Sequence, residues 1–352
     1  MDTYAVVVSG RVPELGLREV ESILGCRLEK LCRRIGLIRC ERELMRCMEI
    51  LPLLYECSLL QEVLLAKAWA STSKSKDPLR QAEELARSAE WREIVGKAFA
   101  VRVRKLGGCP QEPPSDVLAA RVGSAIYEEC GGECRVDLEN PDVVVRLVTS
   151  DEVMLLGILL MRPRGDRFEI RASRVRPYSH PAALTPNDAR LLVNLASPRE
   201  RLLDPFCGTG SVLIEACMRG VYAVGVDVED RMVRGAWRNL RALTCDALAD
   251  VVLSDARTLP FRARAFDSIA TDPPYGHLAP LRGPSMESLY NALLQGGEEV
   301  VKDDGRVVFI RPEGRISSDF VRSMLEESSK SFEEYRIFVH GDLTRVICLV
   351  EV

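Results

Sequence analysis

Residues 201–210 read Arg-Leu-Leu-Asp-Pro-Phe-Cys-Gly-Thr-Gly, a short apolar run closed by an acid and a glycine-bearing turn. Ser211 to Met218 then continues as an amphipathic helix. A strand that feeds through a tight turn into a helix is the opening of a parallel α/β sheet, and few other architectures accept it. The rhythm repeats: strands are predicted at 201–205, 222–227, 250–254, 266–271 and 306–310, separated by stretches of helical spacing. Tyr335 to Val339, the turn Gly341-Asp342 and Arg345 to Val350 read as a closing hairpin, which sets antiparallel strands into the sheet. The fold class expected for residues 183–352 is therefore α/β, a Rossmann-like, mostly parallel seven-stranded sheet with a C-terminal antiparallel hairpin.

Gly208 and Gly210 let backbone approach a ligand closely at the carboxyl end of the first strand, where open α/β sheets bind cofactors. The turn lacks the third glycine of the dinucleotide fingerprint, and it lacks the Gly-Lys-Ser/Thr of a phosphate loop. A ligand without phosphates, carrying an amino-acid head and an adenosine, fits better. Asp227 ends the second strand, where an acid can accept both ribose hydroxyls. Asp255 follows the third strand and can accept an adenine amino group beside the Ala256 amide. Taken singly, each of these acids reads as a helix cap or a turn residue. Set together at the ends of consecutive strands with Asp204 and the turn, Cys207 included, they favour one shared ligand, and adenosylmethionine satisfies all of them. Cys207 reads there as a packing residue and not as a nucleophile.

Thr-Asp-Pro-Pro-Tyr-Gly, residues 271–276, follows a strand one βαβ unit further on. An exocyclic aromatic amine has its lone pair spread into the ring. It becomes a nucleophile when both hydrogens are held and the lone pair faces an electrophile. The Asp272 carboxylate can accept one N–H and the Pro273 carbonyl the other. Pro-Pro limits backbone swing, and Tyr275 offers a ring on which a flat base can stack. The tetrapeptide alone leaves adenine, cytosine, guanine and a glutamine amide open as acceptors.

The first half is organised differently. Residues 1–52 read strand, helix, strand, helix: Tyr4 to Val8, Leu17 to Leu24, Leu37 to Cys40, and Glu43 to Leu51. A helical stretch is expected to run on through Leu65, with a polar loop at Ser71 to Asp77. Within 53–160, Asp77-Pro78 opens a helix to Ala89, Ala98 to Arg104 alternates as a half-exposed strand, and Val117 to Glu129 is an amphipathic helix. Val143 to Val148 and Val153 to Leu160 form a hairpin. Residues 161–182 are an arginine-rich linker: Arg162, Arg164, Arg167, Arg171, Arg174 and Arg176 stand against only Asp166 and Glu169. Such a run can track a phosphate backbone, with Arg162, Arg164, Arg171 and Arg174 as candidate contacts, or it can be a connector paired with acidic neighbours.

Composition narrows the function classes. A net charge of −4 argues against a uniformly basic nucleic-acid binder, and a 47% hydrophobic, 28% charged chain is globular. The longest apolar run, Val153 to Met161, is too short to cross a bilayer. The start MDTYAVVVSG has no basic head or long apolar core, so no signal peptide and a cytoplasmic location are expected. Twelve cysteines and three histidines show no Cys-x-x-Cys spacing, so no metal site and mainly free buried thiols are expected, with one or two disulfides in a hyperthermophilic source.

DPFCGTGSVLIEA, GVDVEDRMVRGAWRNL, SDARTLPF and TDPPYG, in this order and spacing, with PYSHPAALTPNDARLLVNLA upstream, resemble the THUMP-domain tRNA guanine-N2 methyltransferases, the archaeal guanosine-10 branch most of all. The resemblance implies a class I methyltransferase domain preceded by an α+β module, ferredoxin-like over 1–52 and THUMP over 53–160. It implies donor contacts at Asp204, Gly208, Gly210, Asp227 and Asp255, with Thr185 near the methionine end of S-adenosylmethionine. Asp272, Pro273 and Tyr275 then take the base. The chain departs from the family pattern at Ser211, often glycine in relatives, and at His277, where arginine is expected. The implied reaction is transfer of one or two methyl groups to N2 of guanosine 10 of tRNA. The implied assembly is a monomer, or a heterodimer with a small zinc-containing activator subunit, off the membrane. Alternatives are N2-guanine methylation at tRNA position 6 or in ribosomal RNA, and an RNA-binding protein that keeps the fold without catalysis. The position-6 branch usually begins its motif with asparagine where this chain has Asp272.

Overall fold

In the computed structural model, which describes residues 2–39, 47–72, 77–106, 113–275, 285–325, 331–340 and 343–352, the chain divides into two units. One comprises Met1–Leu17, Leu24–Tyr55 and Leu59–Pro163; the other comprises Arg18–Ile23, Glu56–Ser58 and Arg164–Val352.

The first unit begins β1 (Tyr4–Val8), α1 (Pro13–Leu24), β2 (Leu28–Cys32), β3 (Ile35–Ile38), α2 (Cys47–Tyr55), β4 (Leu60–Ser71). Its strands pair antiparallel in the order β2-β3-β1-β4, the ferredoxin-like arrangement. β1, all apolar, is buried along its whole length because it lies inside the sheet. Cys40 and residues 43–46, assigned to strand and helix in the sequence reading, lie outside the described residues, as do residues 73–76 of the polar loop. The sequence reading fails at β4. Residues 60–65, expected to be helical, open a twelve-residue strand. LQEVLLAKAWAS is rich in helix formers, but partners on both edges decide its state: β1 on one side and β8 on the other.

The unit continues α3 (Pro78–Ser88), β5 (Ala98–Lys105), α4 (Ser115–Glu129), β6 (Arg135–Val136), β7 (Val143–Thr149) and β8 (Val153–Met161). Asp77 caps α3 by accepting the Leu79 and Arg80 amides at 3.1 Å each. All eight strands form one sheet, β2-β3-β1-β4-β8-β7-β5-β6, with β5 and β7 parallel. Phe99, Leu118, Ile126, Leu147 and Leu156 form the core between the sheet and α3 and α4. β8 can lie against β4 only because residue 157 is glycine, since a Cβ there would stand 2.6 Å from the Leu65 carbonyl oxygen. The buried Glu62 of β4 is neutralised by Arg104 at 2.9 Å and Arg146 at 3.0 Å.

The second unit contains α5 (Pro186–Ala196), β9 (Arg201–Asp204), α6 (Ser211–Cys217), β10 (Tyr222–Asp227), α7 (Asp230–Ala242), β11 (Ala249–Leu253), β12 (Phe266–Thr271), α8 (Met286–Val300), β13 (Val301–Pro312), α9 (Ser318–Met324), β14 (Ser331–His340) and β15 (Leu343–Glu351). Its sheet runs β11-β10-β9-β12-β13-β15-β14, with β15 antiparallel to both neighbours, the class I methyltransferase order. Strand order reverses at β9, which pairs with β10 on one edge and β12 on the other, so a crevice opens above the carboxyl end of β9. Gly341 and Asp342 of the expected hairpin turn lie outside the described residues.

The arginine-rich stretch is partly structural, which corrects the phosphate-tracking reading for Arg171. Two 3₁₀ turns, Glu169–Arg171 and Ser173–Val175, fold it back on the unit. Arg171 is buried and grips Glu215 with two hydrogen bonds, 2.8 and 3.0 Å. Arg190 of α5 donates to the same carboxylate at 2.9 Å. Glu215 and Arg190 are 0% and 1% exposed, so this is an interior charge cluster. Arg176 is also buried and donates to the Ser211 hydroxyl at 2.8 Å. Arg162, Arg164 and Arg174 remain exposed, Arg164 beside Asp166 and Arg174 beside Glu169.

A disulfide joins Cys217, the last residue of α6, to Cys245 beyond α7, and seven other described cysteines are free, in keeping with the expectation of mainly free thiols. No helix among the described residues is long and apolar enough to cross a membrane.

Replacing Glu215 by glutamine would leave the buried Arg171 guanidinium without a counter-charge and Arg190 with only Glu56, at 3.3 Å. The expected loss is about 3–5 kcal/mol of stability, read as a lowered denaturation midpoint against wild type. A midpoint within error of wild type would show that the cluster is not what holds the connector in place.

Candidate active site

A cleft of about 320 Å³ opens at the strand-order switch, lined from β9, β10, β12, β15 and the turns that follow or precede them. At the end of β9, Asp204 is buried and accepts the Thr271 hydroxyl at 2.6 Å and the Phe206 amide at 3.1 Å. Burial pushes its carboxyl up to about 7, opposed by those two hydrogen bonds and reinforced by the charge of Asp227. The turn behind it is fixed by backbone: the Cys207 amide donates to Val226 at 2.9 Å and the Gly210 amide to Cys207 at 2.8 Å. Gly210 has φ 82° and faces Ala236, whose Cβ would lie 3.3 Å from an added Cβ. It therefore shapes the turn without lining the cleft, whereas Gly208 and Cys207 do line it.

Asp227, at the end of β10, accepts the Gly208 amide at 3.0 Å and the Glu229 amide at 2.8 Å. Each oxygen keeps a lone pair for a further donor. Burial raises its carboxyl, with those amides pulling the other way. Asp255 follows β11 and faces the same cleft with Ala256. Arg257 grips it at 3.0 and 2.5 Å and holds its carboxyl below the usual range. A ligand amino group must share that carboxylate. Thr185, expected near the methionine end, is not among the residues that line the cleft. It is exposed, and its hydroxyl caps α5 through the Asp188 amide at 3.2 Å. His180 to Leu184 line the cleft in its stead. Ser211 ties that segment down, donating to the Leu184 carbonyl at 3.1 Å while Arg176 holds its oxygen. The serine that departs from the family pattern is thus integrated into the site wall.

On the other side, Asp272, Pro273, Pro274 and Tyr275 line the cleft after β12. The Tyr275 carbonyl accepts Arg315 at 2.8 Å, which steadies the motif's end. Asp272 Oδ1 and the Tyr275 hydroxyl are buried with no hydrogen-bond partner among the described residues. Burial lifts the Asp272 carboxyl to about 7; the Arg345 guanidinium pulls it down, and the charges of Asp204 and Asp188 push it up. Gly276 and His277 lie outside the described residues.

Sequence reasoning missed the cleft's other wall. Met232, Leu289 and Arg345 line it. Met232 was legible only as one apolar position of an amphipathic helix. Arg345 had no local signal: it reaches the site because β15 runs antiparallel, which brings its first residues to the carboxyl ends of the parallel strands, opposite Pro312.

These residues fit S-adenosylmethionine. Asp227 keeps lone pairs that would suit ribose hydroxyls, Asp255 and Ala256 line the same cleft with an acceptor that would suit an adenine amine, and the turn at 205–209 lines it without a basic phosphate cradle.

The model of the RMKL-like methyltransferase domain matches residues 173–347, and that of the THUMP domain matches residues 79–159. The tRNA (guanine(10)-N2)-dimethyltransferase of Methanothermobacter thermautotrophicus is 34% identical over 271 residues, covering 76% of this chain and 77% of that protein. The tRNA (guanine(6)-N2)-methyltransferase of Thermus thermophilus is 33% identical over 244 residues, covering 67% of this chain and 68% of the relative. The crystal structure of TrmN from Thermus thermophilus superposes with a TM-score of 0.54 at 26% identity, over 99% of this chain and all of that one. With a cleft that fits S-adenosylmethionine beside an Asp-Pro-Pro-Tyr turn, and with these matches across both halves, the chain belongs to the THUMP-domain, RMKL-like family of S-adenosylmethionine-dependent tRNA guanine-N2 methyltransferases.

Proposed function

We propose that the protein methylates the exocyclic N2 of guanosine 10 in tRNA, adding one or two methyl groups. The observation that carries this reading is the pair of unpartnered buried acceptors, Asp272 Oδ1 and the Tyr275 hydroxyl, in the same cleft as the adenosine-binding acid Asp227. Buried polar atoms without partners are costly, and a substrate amine would satisfy them. The THUMP match over residues 79–159 supports a folded RNA as the substrate carrier. Position 10 is favoured over position 6 by the higher identity of the position-10 relative among those matching nearly the whole chain, 29% over 350 residues against 25% over 374, and by the acid at residue 272.

S-adenosylmethionine, when bound, supplies a methyl group made electrophilic by its sulfonium, and Asp227, Asp255 and the 205–209 turn hold it. The chain's own groups then act on the base. Guanine must leave its stem for the amine to be reached, and Tyr275 offers a ring to stack on. Asp272 and the Pro273 carbonyl take the two N2 hydrogens, which turns the nitrogen lone pair out of the ring plane. As the amine gains its fourth bond it becomes acidic, and the Asp272 carboxylate takes the proton. Fixing two reactants in line supplies much of the rate gain.

Mass mapping of tRNA after incubation with the donor tests the assignment. Asp272→Ala is expected to bind donor and tRNA like wild type and to lose methyl transfer by at least about 100-fold; turnover near wild type would sink it. Asp227→Ala is expected to lose S-adenosylmethionine binding by at least about tenfold in calorimetry, the scale of one charge-assisted hydrogen bond. An unchanged isotherm would move the ribose elsewhere.

The pH profile follows from the raised carboxyls. A carboxyl pushed up is protonated through most of the range below its shifted value and cannot accept the amine's N–H there. For the Asp204 and Asp272 pair, both near 7, kcat/KM should therefore be level above about 8 and fall tenfold per pH unit below about 6.5. Asp272→Asn should flatten that acid limb at low residual activity. A wild-type profile level down to pH 5 would contradict the acceptor role.

A further inference from the structure

Arg345 has no task in the steps above. It lines the cleft with Asp272 and Tyr275, and its Nε is buried with no hydrogen-bond partner among the described residues. Asp188, in the first turn of α5, holds the guanidinium from one flank, with Nη1 3.7 Å from its carboxylate. The side chain is therefore steadied at one edge, and the N–H at the other has nothing to bond. A donor left unmade in such a place costs about 1–3 kcal/mol, so the site suits a ligand that brings an acceptor.

Guanine brings one. With its N2 hydrogens directed to Asp272 and Pro273, the far end of the same ring edge carries the O6 carbonyl. Adenine held by its own amino group presents a C2–H at that place, which offers the donor nothing. We infer that Arg345 is a specificity-determining residue that donates from Nε to guanine O6, so that the pocket accepts guanine and rejects a purine lacking the 6-oxygen. This rests on the guanine-N2 reading above and adds the group that enforces it.

The test pairs two tRNA substrates with two enzymes. One tRNA carries guanosine at position 10 and the other 2-aminopurine, which keeps the 2-amino group and lacks O6. Wild type should lose on the order of 100-fold in kcat/KM on the 2-aminopurine substrate, the scale expected when a buried site donor is left unpaired. Arg345→Met should lose a similar factor on guanosine and discriminate between the two bases by less than about tenfold. The change at ring N1 is common to both enzymes, so the cycle cancels it. Full discrimination retained in Arg345→Met would overturn the proposal. So would loss of S-adenosylmethionine binding in a variant with a wild-type thermal midpoint, because Arg345 would then serve the donor's carboxylate. If Arg345→Met does not fold, the wild-type pair decides alone: equal turnover of guanosine and 2-aminopurine rules out O6 reading. Failure of wild type on both tRNAs, unlike equal turnover of both, would overturn the proposed function and this inference with it.

Discussion

The second unit depends on one carboxylate. Glu215 lies inside α6, fully enclosed, and a charge so placed survives only with compensating charge at bonding distance. Arg171 reaches it from the connector and Arg190 from α5, which fixes three segments to each other by electrostatics and not by apolar packing alone. Arg176 extends the arrangement, bonding both the Arg171 carbonyl and the Ser211 hydroxyl, and Ser211 in turn holds the Leu184 carbonyl. The wall at 180–184 and the turn at 205–210 are therefore placed by the same interior cluster. A stretch of chain that looks like a surface strip of positive charge is in part the foundation of the cleft wall.

The two sides of the cleft are finished differently. At the ends of β9, β10 and β11 every named acid already has partners: Asp204 with Thr271 and Phe206, Asp227 with two backbone amides, Asp255 with Arg257. These carboxylates are oriented before any ligand arrives, which lowers the cost of binding one. After β12 and on β15, Asp272, Tyr275 and Arg345 each keep a buried atom without a partner among the described residues. Polar groups held rigid but unsatisfied favour the species that satisfies them all at once. That is the arrangement expected where selectivity for the acceptor is set.

How much of this could be read from the sequence depended on the range of the interaction. The turn at 205–210, Asp227 and the Asp272-Pro-Pro-Tyr275 run were legible because strand, turn and helix are local, and their chemistry sits at strand ends. β4 was misread because its leucines, alanines and glutamate are good helix formers, and the two strands that claim its edges come from distant sequence. Thr185 caps α5 and does not line the cleft, since a threonine before Pro186 is a helix cap first. Arg171 was misjudged although a signal existed: Glu215 is the lone charge in the otherwise apolar helix SVLIEAC, and an interior acid demands an interior base. Arg345 could not be found at all, because its position follows from the pairing of β13 with β15.

The continuous sheet of the first unit has a consequence for what can be separated. β4 is shared: one edge completes the ferredoxin-like half and the other receives β8 from the THUMP half. Cutting the chain before β4 would leave that strand's β1-facing edge bare, with a row of unpaired amides and carbonyls open to a second copy. Cutting after it would strip β8 and its apolar face in the same way. The two halves thus cover each other's open strand edges, which guards both against edge-to-edge aggregation.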